Sequence, residues 1–153
     1  NFILILFICF NSVWIIKNHP YQYTYFNSLI PKDNLRNFEL DYYGVSNLDT
    51  LKKLIKISNQ NVSKIYIFSV TPYHLSLNLL NDNDRKRILF TNNKNQADYL
   101  VTNHFYQKHY FKDKNLFKKI HPIDIEKFLK VNYELVNDIK ANGVSINSIY
   151  KIK

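Results

Sequence analysis

The sequence predicts an α/β domain preceded by a wholly apolar helix. Three observations carry that prediction. Residues 2–16 contain no charged side chain. Strand-length apolar runs at 64–70, 87–91 and 98–102 are separated by stretches of helical periodicity. Asn142-Gly143 lies between two strand-like runs, and this pair suits a two-residue type I′ turn because both central residues need positive φ. The expected sheet has three or more strands, mostly parallel, with flanking helices and a C-terminal β-hairpin.

The first run, from Asn1 to Ile16, is apolar all round, interrupted only by Asn11 and Ser12. A buried core helix would show a polar stripe, and a signal peptide would show a basic start and a small-residue cleavage site. Neither is visible. Fifteen residues rising about 1.5 Å each span only ~22 Å of a hydrocarbon core of roughly 30 Å. The run therefore reads as the end of a transmembrane helix that continues upstream. The chain holds no Met, which fits a fragment or a processed chain. Trp14 lies where interfacial aromatics collect, and Lys17, Asn18, His19 and Pro20 stop the helix. Three boundaries follow: a helix end at 1–17, an aromatic interfacial segment at 18–45, and an α/β domain at 46–153.

The interfacial segment carries Tyr21, Tyr23, Tyr25, Tyr42 and Tyr43, whose rings are apolar and whose hydroxyls prefer water. These side chains are candidates for an interface or a glycan contact. Glu39 and Asp41 sit among them as a possible acid/base or cation pair. The plainer reading is that such carboxylates cap turns and bond nearby tyrosines and backbone.

A helix is expected from Ser46, which can cap it, with Asp49 reaching back at the first turn. Leu48, Leu51, Leu54 and Ile55 keep helical spacing, opposite Lys52, Lys53 and Lys56. The first strand, 64–70, is stopped by Pro72, and residues 74–80 form a short helix. Residues 103–120 show no period and read as an excursion, and 122–130 as a short helical turn. Tyr133 to Lys140 and the alternating run after Gly143 form the hairpin, one face inward and one toward water.

Composition excludes several classes. At 153 residues and 46% apolar content the chain is one domain's worth with a real core. Two glycines and four prolines exclude collagen-like and low-complexity chains, and leave no Gly-rich phosphate loop. Cys9 is alone, so there is no internal disulfide and no Cys-based zinc site. The net charge of +9 would suit nucleic acid, but Asn, Lys, Ile, Tyr and Phe make up more than half of the chain. All five can be encoded with A and T alone, and Arg, the bidentate base and phosphate reader, occurs three times. Nucleic acid is therefore not an expected partner. The histidines, His19, His74, His104, His109 and His121, show no metal-ligand spacing, and no nucleophile elbow is present. No catalytic, cofactor-binding or metal-ligating residue is assigned, and no cofactor is expected.

Four segments carry a resemblance: His19-Pro-Tyr-Gln-Tyr-Thr-Tyr-Phe-Asn27, Phe38-Glu-Leu-Asp-Tyr-Tyr-Gly-Val-Ser46, Asp98-Tyr-Leu-Val-Thr-Asn103 and Asn142-Gly-Val-Ser-Ile-Asn-Ser-Ile-Tyr150. In this order they resemble the C-terminal end of bacterial polytopic glycosyltransferases related to dolichyl-phosphate-mannose protein mannosyltransferases. The chain departs from that pattern at Ile30-Pro31, where the family has paired glycines, and at Tyr43, where it has Trp. The resemblance implies an inner-membrane enzyme that transfers sugar from a polyprenyl-phosphate donor, with this tail periplasmic and its catalytic carboxylates on an early loop outside the sequence. The alternative is a membrane-anchored glycan-binding or protein-interaction module without enzymatic activity. In either case the lipid bilayer is the expected partner, with the sugar donor held by the absent membrane part.

Overall fold

A computed structural model describes residues 2–24, 40–105 and 122–152. Helix α1, Phe2–Lys17, leads into a short turn and a 3-10 segment at Gln22–Thr24. Helix α2, Ser46–Ile57, precedes strand β1, Ser63–Ile67. Short helices α3, Tyr73–Leu77, and α4, Asp82–Arg85, lead to β2, Ile88–Thr91, and then β3, Tyr99–Thr102. Helix α5, Pro122–Asn132, feeds the hairpin of β4, Glu134–Ala141, and β5, Val144–Lys151.

The five strands form one sheet in the order β2-β1-β3-β5-β4. β1 pairs in parallel with β2 and β3, whereas β5 pairs antiparallel with β3 and β4. The sheet is therefore mixed. The hairpin is part of it and contributes two of its five strands, where a mostly parallel sheet was expected.

Side-chain alternation assigns each strand residue to one of two faces. Ile65, Val101 and Ile149 pack with Leu51, Leu54 and Ile55 of α2 on one face. Leu100 and Tyr150 pack with Ile125 and Leu129 of α5 on the other. This covering of both faces is why β1 and β3 read as unbroken apolar runs. It also corrects the expectation for the hairpin. β5 is buried along seven of its eight residues, because it lies between β3 and β4 and neither face meets water. The turn itself follows the sequence, with φ of 51° at Asn142 and 77° at Gly143.

Two local expectations change. Val45, not Ser46, takes the N-cap position of α2 and makes no side-chain cap. The Ser46 hydroxyl turns instead to Asp41. The short turn expected at 122–130 is an eleven-residue helix. Most of the expected excursion at 103–120 lies outside the described residues, as do Tyr25 and Glu39.

None of α1 is buried: Phe2, Ile3 and Ile16 are each more than 70% exposed. No helix among the described residues is long and apolar enough to cross a membrane. α1 has sixteen residues, about 24 Å at the usual rise. Its far end is held firmly. Tyr21 and Leu40 pack with Ile139, Ala141, Val144 and Ile146 of the hairpin, and the Asn142 amide donates to the Asn18 side chain at 3.4 Å.

Candidate functional site

The connection leaving β1 runs to β2 on one side, and the connection leaving β3 runs toward β4 and β5 on the other. The two diverge between adjacent strands, which makes the carboxyl ends of β1 and β3 the topological switch point of the parallel part of the sheet. In open α/β sheets the crevice at such a point is the usual ligand site. Here it is filled by the chain's own polar side chains.

Seven of them close a ring. Ser46 Oγ donates to Asp41, and Asn147 Nδ2 donates to Ser46 Oγ at 2.8 Å and to Asn47 Oδ1 at 3.2 Å. Asn47 Nδ2 donates to Thr71 Oγ1 at 3.0 Å, and Thr71 Oγ1 donates to Ser69 Oγ at 3.1 Å. Ser69 Oγ donates to Asn103 Oδ1, and Asn103 Nδ2 returns to the Asp41 carbonyl at 2.8 Å. Every member is at most 4% exposed. Tyr73 adds a spoke by donating to Asn147 Oδ1 at 2.8 Å.

Local structure sets the ring. The stretch before α2 turns at Gly44, with φ of +65°, and a Cβ there would lie 2.6 Å from Asn47 Nδ2. That turn lets the Val45 amide donate to Asp41 Oδ1 at 2.9 Å. Ser69 and Thr71 lie just past β1, and Asn103 just past β3, where the ladder ends and polar groups lose their strand partners. Buried polar groups are costly unless paired, so a closed ring specifies one arrangement of these segments.

Asp41 is the centre. Burial pushes its carboxyl above the usual range, against the donors Ser46, Tyr23 and Asn103, which favour the anion. Burial and the neighbouring carboxylates hold the Tyr21 and Tyr23 hydroxyls above their ordinary value, so both remain protonated donors. Tyr21 donates to Asp49 and Tyr23 to Asp41 Oδ1 at 2.5 Å.

The candidate residues thus divide. Tyr21, Tyr23 and Asp41 meet in one assembly, and the carboxylate there bonds tyrosine and backbone, as in the plainer reading of the sequence. Tyr42 and Tyr43 stay exposed, edge to face at 5.2 Å, with Tyr42 also 5.5 Å from Phe105. Asn47, Ser69, Thr71, Asn103 and Asn147 were not singled out as site residues. For Ser69, Thr71 and Asn103 the available signal is a short polar residue just beyond a strand end, whereas Asn47 within α2 and Asn147 within β5 carry no such signal.

No family model, curated protein or solved structure matches this chain. The chemistry must therefore be read from the geometry. The ring fixes segments, but it does not align a nucleophile, a base and an orienting group. On the opposite face His104, at φ of 62°, has its Nε2 2.9 Å from Ser148 Oγ, which donates to Asp138 at 2.6 Å. There the serine lies between the other two, the wrong order for a histidine base oriented by a carboxylate. No group of three or more His, Cys, Asp or Glu able to hold a metal occurs among the described residues.

Proposed function

We propose that this chain is the C-terminal, non-catalytic part of an integral-membrane glycosyltransferase that uses a polyprenyl-phosphate sugar donor. In this reading α1 lies in the inner membrane and the α/β domain stands on its periplasmic face. The observation that carries the reading is the join between them. A helix apolar on every side and exposed along its length ends in a clasp, Tyr21 on Asp49 and Tyr23 on Asp41, that fixes it to the folded domain.

Apolar surface of this extent on a folded chain calls for lipid or protein cover. A polar clasp at one end keeps the domain at a set height and orientation over that cover. Asp41, Ser46, Asn103 and Asn147, from three of the four resembling segments, share the buried ring, and Tyr21 and Tyr23 of the remaining one bind beside it. One assembly thus gives all four segments a physical reason to occur together.

A second reading, a membrane-anchored binding module without enzymatic activity, draws on Tyr42 and Tyr43, which are 54% and 79% exposed. Both readings are tested by one experiment. The full chain is placed in vesicles and offered a polyprenyl-phosphate-linked sugar, with and without the upstream membrane part supplied separately. Transfer is expected only with the upstream part. Transfer by the chain alone overturns the non-catalytic role, and no transfer in either case favours the binding module.

A further inference from the structure

We propose that a groove at the carboxyl ends of β1 and β2 binds a neutral saccharide. The inference stands on the groove's lining and does not depend on the membrane reading. The groove encloses about 540 Å³, within the range of small-molecule sites and far above the roughly 30 Å³ of one water. It adjoins the buried ring, because Ser69 and Thr71 belong to both. The ring fixes its floor, so the site is formed before a ligand arrives.

The lining decides the ligand class. Charged residues make up 22% of the chain, yet among the described residues none lines the groove. A phosphate, nucleotide or sugar acid would need a cation or a glycine-rich nest there, and neither is present. A purely apolar ligand would leave the polar groups unpaired. The His74 and Asn92 side chains are exposed on the groove and bond no other group among the described residues. Thr91 lies beside Asn92, and its Oγ1 accepts from the Asn93 amide. Phe90 supplies a half-buried aromatic ring, and Pro72 an exposed apolar wall. Amide, imidazole and hydroxyl groups around an aromatic ring match a pyranose, which has C–H groups on its faces and hydroxyls at its edge.

The test is titration of the full chain in detergent micelles with maltotriose, chitotriose and mannotriose, read by ligand-observed and protein NMR. Inorganic phosphate, sialyllactose and the uncharged peptide Ala-Gly-Ser serve as comparison probes. At least one neutral trisaccharide is expected to saturate, with shifts centred on residues 90–92 and 72–74. His74→Ala and Asn92→Ala alter exposed side chains, and each should weaken binding by about 3- to 10-fold, the scale of one neutral hydrogen bond. Phe90→Leu keeps apolar volume and removes the ring, and it should weaken binding similarly while thermal melting stays cooperative. The proposal fails if no neutral trisaccharide saturates up to roughly 10 mM, a very weak interaction by any standard. It also fails if phosphate, sialyllactose or the peptide binds more tightly, or if the two exposed-residue variants bind as the wild type does.

Discussion

Tyr23 donates its hydroxyl to Asp41 Oδ1 at 2.5 Å across 18 positions of sequence, and this bond ties the segment after α1 to the buried ring. Asp41 is 1% exposed, so a lost donor is not replaced by water at no cost. Tyr23→Phe should destabilise the domain by about 1–3 kcal/mol, the range for leaving one partner of a buried bond unsatisfied. Urea unfolding measures it. Hydrogen exchange at residues 18–24 should quicken in the same variant, because the clasp is loosened while the sheet remains.

Asp41 also sets a pH dependence. Its folded-state carboxyl titrates above the ordinary 3.8, chiefly because it is buried. Above 3.8 the folded chain holds this proton more tightly than the unfolded one, so this group's contribution to stability falls as pH rises. Unfolding free energies measured between about pH 4 and 7 should decline more steeply for the wild type than for Asp41→Asn. Parallel curves would show that the ring's donors offset the burial cost.

The ring should behave as a unit. Asn103 and Asn147 share no hydrogen bond among the described residues, yet both reach Asp41, one through its carbonyl and the other through Ser46. Asn103→Ala and Asn147→Ala should each cost about 1–3 kcal/mol, and the double variant should depart from additivity by more than ~0.5 kcal/mol. A double-mutant cycle by urea unfolding reads this directly.

Gly44 is a backbone requirement. Its φ of +65° is strained for any residue with a Cβ, and that Cβ would also lie 3.0 Å from Thr71 Cβ. Gly44→Ala should cost at least about 1–2 kcal/mol. The Asn47 and Thr71 amide resonances should shift in this variant, because both side chains lie against the position the new Cβ would take.

Much of this fold is legible in the sequence because its signals are local. Asn142-Gly143 specifies its turn, and the apolar runs at β1 and β3 specify strands covered on both sides. The helical spacing of Leu51, Leu54 and Ile55 specifies the packed face of α2. The pairing partner of β5 is not local. Nothing in residues 144–151 states that helices cover both faces of this strand, Ile149 packing with α2 and Tyr150 with α5, so one face reads as wet. The site shows the same division. Asp41 stands out because a carboxylate among tyrosines is conspicuous. Asn47, Ser69, Thr71, Asn103 and Asn147 are ordinary residues in an Asn-rich chain, and they acquire a role only when four distant segments close the ring.

The placement of α1 in lipid is the central claim, and Cys9, the single cysteine and exposed on that helix, allows it to be read directly. An environment-sensitive fluorophore on Cys9 of the full chain, reconstituted with phospholipid vesicles, should show blue-shifted emission that lipid-phase quenchers suppress and aqueous iodide does not. Water-like emission open to iodide, with the chain remaining in the aqueous fraction on flotation, would contradict the account.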